Sequence, residues 1–187
     1  MRATDVGTLS YDVVRRLISY DAITGGMVWK ARTADMFKRG RWSQEHSCAC
    51  WNSQNAGKTA GTSNGSPYNR IVISGRTYLS HRIAWLYMTG DWPKGQIDHA
   101  NMDKRDNRWD NLREATCAQN SCNVGARSTN TTGLKGVTKT RSGFCSYIGI
   151  DNKNIYLGTF KTPEEAFNAY VLAGKKLHGD FFRIDAK

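Results

Sequence analysis

Apolar residues return along this chain in short runs whose period changes from one segment to the next. Near the start, Val13, Val14, Leu17 and Ile18 form an apolar stripe, which predicts a short helix. MVWK, Met27 to Lys30, follows Gly25-Gly26 and reads as a strand entered from a turn. Gly57 to Gly65 is rich in Gly, Ser, Thr and Asn and reads as a loop. From Asn69, NRIVISGRTYLS alternates on either side of Ser74-Gly75, the pattern of a hairpin. HRIAWLYMTG then puts Ile83, Leu86 and Tyr87 on one helical face, with Gly90 as the stop. Gln96 to His99 and Asn111 to Ala115 read as two short strands around a long polar loop. Thr116 and Gln119 have capping-box spacing, so a helix should start at Thr116.

Beyond NVGARSTNTTG, a polar stretch of small residues that reads as a boundary, the period returns to that of strands. Gly136 to Lys139, Phe144 to Ile150 and Ile155 to Phe160 are separated by turn-like TRSG and DNKN, which predicts an antiparallel meander. Thr162 is placed as an N-cap, with Pro163 at the first helical position and Glu165 completing a capping box. Ala166, Tyr170, Ala173 and Leu177 share a face of that helix, Gly179 can end it, and His178 near its end reads as a packing or cap partner. A helix laid across a three-stranded sheet buries both apolar faces. The expected fold class is α+β. Met1 to about Tyr68 is expected to be largely irregular apart from the first helix and strand.

Charge narrows the function. Lys and Arg exceed Asp and Glu by 11 in 187 residues, which points to a polyanionic partner, nucleic acid ahead of an anionic membrane surface. The longest apolar run, Ile83 to Met88, falls far below the roughly 20 residues of a membrane span. Five cysteines, an odd number, and the lack of a secretory start in MRATDVGTLSYDVVRRLISY suggest a cytosolic protein with reduced thiols.

Candidate chemistry concentrates in QIDHANMDKRDNRWDNLREATCAQN, Gln96 to Asn120. In a strand–loop–strand–helix unit, the end of the first strand and the start of the helix can lie side by side, bringing Asp98, His99 and Asn120 together. Asp and Asn offer hard oxygen donors that suit Mg²⁺ or Mn²⁺ rather than zinc. Neutral His99 can accept a proton near physiological pH. Asn111 could hold the loop, or the ring of His99, through amide hydrogen bonds. Spacing alone also allows a plain solvated loop, because Asp, Asn and His are common loop residues.

Asp98-His99, Asn111 within DNRWDNLREAT, and Asn120 resemble the HNH nuclease motif in its His-Asn-Asn form. GRTYLSHRIAWLYMTGDWP is similar to the lead-in of phage HNH endonucleases, as are DAITGGMVWK and WNSQNAGKTAG to their leading segment. GLKGV (Gly133 to Val137), LGTF (Leu157 to Phe160), EEAFNAY (Glu164 to Tyr170) and HGDF (His178 to Phe181) resemble an AP2 DNA-binding domain and its usual phage ending. The resemblance implies a ββα-metal (His-Me finger) nuclease core plus a small AP2-like sheet with one packed helix. The implied organisation is a basic DNA-contacting segment at 1–68, the HNH core at 69–123, a linker at 124–132 and the AP2-like domain at 133–187.

By the same resemblance His99 is the general base, Asp98 and Asn120 ligate one divalent ion, Mg²⁺ or Mn²⁺, and Asn111 positions His99 and the loop. Arg82 would contact a phosphate, whereas His81 beside it suits a buried structural role equally well. Lys38, Arg39 and Arg41 in MFKRGRW, and Lys135, Lys139, Arg141 and Lys153 in the last domain, would hold duplex DNA. Phe144 stands where AP2 sheets usually carry Trp, and FCSYIGI is less basic than their strand, so these cations are expected on phosphates rather than on bases. The expected activity is site-directed DNA cleavage, one nick per active site, by a monomer on DNA in the cytoplasm of an infected bacterial host. Three alternatives remain open: a non-catalytic DNA binder on the same scaffold, a packaging-associated nuclease, and a ribonuclease. A structural zinc on HSCACW with Cys117 and Cys122 is not expected, since Cys48-x-Cys50 lacks the common spacing. Trp29, Trp42 and Trp51 are expected to form a small core with the basic residues outward.

Overall fold

The computed structural model describes residues 9–122, 130–150 and 153–182; positions 124–129 of the expected linker lie outside them. The chain divides into two compact units, residues 1–114 and 115–187. No described helix is long and apolar enough to cross a membrane.

The first unit opens with helix α1, Tyr11–Leu17, capped by Ser10, whose side chain accepts from the Val13 amide. Val14 and Leu17 turn inward, but Val13 is 39% exposed. Ile18, expected on the helix, begins strand β1, Ile18–Tyr20, which pairs antiparallel with β2, Met27–Trp29. Strand entry lets Ile18 bury completely while the chain turns toward Asp21.

The segment read as irregular also holds a helix, α2, Gln44–Asn55. Its sequence has no apolar stripe and buries no residue fully. It is held instead by the Ser43 cap and by polar staples to Arg32. Asn52 accepts from the Arg32 amide at 2.8 Å and donates to its carbonyl at 2.9 Å, and the Cys48 thiol donates to that carbonyl at 3.1 Å. The Gly57–Gly65 loop then runs along two strand edges, bridging Val28 to Thr59 and Thr62 to Arg70. Gly61, at φ +101°, permits this, since a Cβ there would meet the Arg70 carbonyl.

The hairpin of β3, Arg70–Ile73, and β4, Arg76–Leu79, turns on Ser74 and Gly75, both at positive φ as a tight two-residue turn demands. Helix α3, Ser80–Thr89, follows and stops at left-handed Gly90. Its Ile83, Ala84 and Leu86 pack with Val14, Ile18, Met27, Ile71 and Ile73 in one core, so the elements before and after residue 68 share their buried apolar surface. Strands β5, Gln96–His99, and β6, Leu112–Ala115, form their own two-stranded sheet.

In the second unit, Thr116 and Gln119 make the capping box of α4, Cys117–Cys122, reciprocally at 3.2 and 2.8 Å. Strands β7, Val137–Thr140, β8, Gly143–Ile150, and β9, Lys153–Phe160, form the antiparallel meander, with a bulge at Ser146/Tyr147. Helix α5, Pro163–His178, starts with the expected Thr162–Glu165 capping box and packs on this sheet. Its buried stripe is Ala166, Tyr170 and Gly174, not the one ending at Leu177, which is 43% exposed. Gly174 lies inward because the Phe182 ring occupies the space a Cβ would need.

Candidate active site

The site starts from a strand with almost no exposed surface. Ile97, Asp98 and His99 of β5 are all buried, so two polar side chains are withdrawn from water together. A buried carboxylate needs partners. Arg113 on β6 supplies one, its Nε and Nη2 groups reaching Asp98 Oδ2 at 2.9 and 2.8 Å.

His99 is 4% exposed, and burial pushes its pKa below the ordinary value of 6.5. A hydrogen bond to Asn107 Oδ1 and the charges of Asp98, Asp103 and Asp106 oppose that shift without overcoming it. The ring is therefore a neutral imidazole at neutral pH, the form that can take a proton. His81 from α3 meets it edge-on at 5.0 Å between centroids, and the Tyr68 ring lies 6.2 Å away. Burial, then the nearby His99 and Arg82, push His81 down to about 3, so it too is neutral.

The loop between the strands is stapled by its own side chains and anchored by the Trp109 ring, 5.2 Å from that of Trp85 on α3. Asn101 Nδ2 donates to Asp106 at 2.7 Å, the Asp103 amide to Asn101 Oδ1 at 2.9 Å, and the Arg105 amide to Asp103 at 2.9 Å. Arg108 pairs with Asp106 at 2.7 Å and, with further hydrogen bonds, holds that carboxyl down at about 2. Asn111, at the end of the short 3-10 turn just before β6, closes the loop: its Oδ1 accepts from the Asn101 amide at 2.9 Å and its Nδ2 donates to the Asp106 carbonyl at 2.8 Å.

Asp98, His99 and Asn111 thus come together within the first unit. Asn120 lies on α4 in the second unit, its amide bonded to the Thr116 carbonyl at 2.9 Å. Two residues enter that the sequence reading did not single out, Arg113 and Asn107. Asn107 is buried, with Oδ1 3.5 Å from His99 Nε2, so Asn107 faces the ring while Asn111 takes the loop. A reader of the sequence has only one signal for Asn107, a second Asn inside DNRWDN.

Asp98 offers a carboxylate of the hard-oxygen kind that suits Mg²⁺ or Mn²⁺. Among the described residues, no three or more His, Cys, Asp or Glu side chains gather in a metal-binding cluster, so such an ion would complete its sphere with amide, phosphate or water oxygens. In HSCACW, the Cys50 thiol faces His46 at 3.5 Å across one turn of α2, while Cys48 turns toward Arg32.

The expected DNA contacts are scattered. Lys38, Arg39 and Arg41 are exposed, as are Lys139, Arg141 and Lys153; Lys135 is half-buried. Arg82 is also half-buried, donating to the Gly95 carbonyl at 3.2 Å with its guanidinium 5.9 Å from the Trp92 ring. Trp29 and Trp51 do form a small cluster, edge-on at 5.8 Å, with the Arg32 guanidinium 3.7 Å over Trp51. Trp42 does not join them. It is 58% exposed against His46, because the Ser43 cap turns it outward at the start of α2.

No curated protein and no solved structure matches the chain. Residues 78–122 match the family model described as HNH endonuclease, a stretch that runs from Tyr78 through α3 and the β5–loop–β6 unit to the end of α4. The match therefore contains Asp98, His99, Asn111 and Asn120, and it points to a nuclease domain acting on DNA.

Proposed function

We propose that the protein is a divalent-metal-dependent DNA endonuclease in which His99 is the general base. The observation that carries this reading is the neutral, buried imidazole of His99 directly beside the buried carboxylate of Asp98, inside the stretch that matches HNH endonucleases. His99 removes a proton from water, the resulting hydroxide attacks phosphorus, and the bond to the 3′ oxygen breaks. The products carry 5′-phosphate and 3′-hydroxyl ends. Asp98, fixed by Arg113, and Asn120, by its place in the motif, are the oxygen donors for one Mg²⁺ or Mn²⁺. Such an ion, when bound, offsets charge developing on the phosphate and on the departing oxygen. Asn111 keeps the loop in shape.

The three-stranded sheet with its helix is read as an AP2-like DNA-binding domain at 133–187, joined by a linker at 124–132 to the core at 69–123. The segment 1–68 adds cations for the backbone. Lys38, Arg39, Arg41, Arg82, Lys135, Lys139, Arg141 and Lys153 are the proposed phosphate contacts, which makes binding salt-sensitive. One motif gives one nick per protomer, and the resemblance to phage homing enzymes favours a monomer that reads a long site.

A supercoiled-plasmid assay on DNA from candidate hosts and phages tests this. Nicked circles are expected only with Mg²⁺ or Mn²⁺, and His99→Ala is expected to retain DNA binding without nicking. Binding by both proteins with no cleavage of any DNA would make the protein a non-catalytic binder. Equal cleavage by both would remove His99 as the base.

A further inference from the structure

We infer that Asn107 is the positioning residue that fixes the tautomer and ring plane of His99, and that the N-terminal hairpin holds Asn107 through the hydroxyl of Tyr20. Its catalytic consequence rests on the nuclease reading above; its structural content does not.

The assignment follows from donor and acceptor logic. Asn107 Nδ2 donates to the Arg105 carbonyl at 3.3 Å. A carbonyl only accepts, so the amide nitrogen must face it, and Oδ1 is left toward His99 Nε2 at 3.5 Å. Oδ1 also only accepts, so the ring nitrogen facing it carries the hydrogen. In a neutral ring the basic lone pair is then on Nδ1. The separation is long for a hydrogen bond, as catalytic contacts often are before substrate arrives.

Asn107 is itself clamped from the far end of the sequence. Its carbonyl accepts from the buried Tyr20 hydroxyl at 2.7 Å, 87 residues away. The Trp109 amide donates to the Ala22 carbonyl at 2.9 Å. Gly25, at φ +73°, lies so close that a Cβ there would stand 2.6 Å from the Asn107 carbonyl carbon and 2.5 Å from the Arg108 nitrogen. The β1–β2 turn is thus seated directly on the peptide that aims the amide at His99. The loop's own side-chain turns, by contrast, end on Asn101, Asp103 and Asp106.

The test uses the full chain labelled with ¹⁵N-histidine, with ring nitrogen shifts of His99 recorded at neutral pH without metal. The wild type is expected as the Nε2–H tautomer. Asn107→Ala and Asn107→Leu, the second keeping the volume, should lose that preference. Asn107→Asp, which still accepts from Nε2–H, should restore it. In the plasmid assay the first two should lower kcat by about 10–100-fold with KM nearly unchanged, the usual scale for an orienting partner, and Asn107→Asp should recover part of the rate. Tyr20→Phe should give a mixed tautomer and a smaller loss. An unchanged Nε2–H tautomer in Asn107→Leu, or in Tyr20→Phe should neither Asn107→Ala nor Asn107→Leu fold, overturns the inference. If the wild type cuts no DNA, the nuclease reading fails separately, and the tautomer measurement still decides the role of Asn107.

Discussion

Two N–H groups of the Arg113 guanidinium end on one oxygen of Asp98, at 2.9 and 2.8 Å. The two side chains sit on the paired strands β5 and β6, with the acid 5% exposed and the base 24%. The pair is therefore asymmetric toward water: Arg113 retains a route to solvent and Asp98 has almost none.

That asymmetry makes the two halves of the pair unequal under mutation. Arg113→Met leaves a buried carboxylate without its cation and should cost about 3 kcal/mol, the lower end for breaking a buried pair. Asp98→Asn should cost clearly less, because water can still solvate Arg113. Urea unfolding of both variants checks the order, and a larger loss in Asp98→Asn would refute it.

The pH dependence has a definite sign. His81 has its pKa lowered from 6.5 to about 3, so between those values the unfolded chain binds a proton that the folded chain refuses. Stability contributed by neutral His81 is complete above 6.5 and is lost as pH falls toward 3. The slope is about 1.4 kcal/mol per pH unit for one such proton. The depressed carboxyl of Asp106 acts only lower, between its ordinary 3.8 and about 2. His81→Phe should flatten the profile above pH 4 by about one proton; denaturant titrations at several pH values measure this, and an unchanged slope would show that His81 is not the cause.

The same direction at His99 predicts how cleavage responds to acid. With its pKa below 6.5, the imidazole stays unprotonated through neutral pH. The rate should hold as pH falls from 8 to about 7 and decline only below His99's ordinary value. A midpoint above 6.5 in single-turnover nicking would contradict the placement of His99.

Asn111→Ala removes both side-chain bonds that close the loop, the one from the Asn101 amide and the one to the Asp106 carbonyl. The expected cost is about 2 kcal/mol. Hydrogen exchange of the Asn101 amide should accelerate well beyond that of the α3 amides. Unchanged protection at Asn101 would mean that the loop keeps its shape without Asn111.

Trp42 and Trp51 should separate stability from surface. Trp51→Ala loses the edge contact with Trp29 and the platform under Arg32, about 2 kcal/mol for a half-buried ring. Trp42→Ala, on a 58% exposed ring, should change stability by no more than about 0.5 kcal/mol. Thermal melts of the two variants compare them directly, and equal destabilisation would place Trp42 in a core after all.

Elements announced by local chemistry were legible in the sequence. Ser74-Gly75, Gly90, the Thr116–Gln119 box and the Thr162–Glu165 box each act within a few residues, and each stands where its pattern put it. Helix α2 was not legible, because QEHSCACWNSQN has no apolar period and relies on Arg32, 20 residues from Asn52. Of the candidate site, Asp98, His99 and Asn111 could be picked out because they fall in one short polar stretch. Asn107 and Arg113 could not, since their meaning depends on partners across the fold: Tyr20 and His99 for one, the paired strand for the other.

The bond from Tyr20 to Asn107 spans 87 residues, and that from Trp92 to the Leu9 carbonyl spans 83. Closing a loop of that length carries an entropy cost that grows as the logarithm of its size, about 4 kcal/mol from the length-dependent part alone. Such contacts form late in folding, after local hairpins and helices have made the remaining chain short. During synthesis the hairpin at residues 18–29 emerges early and must wait for residue 107 before it can seat. A chain shortened from its N-terminus past Tyr20 therefore carries Asn107 without the hydroxyl that holds its carbonyl.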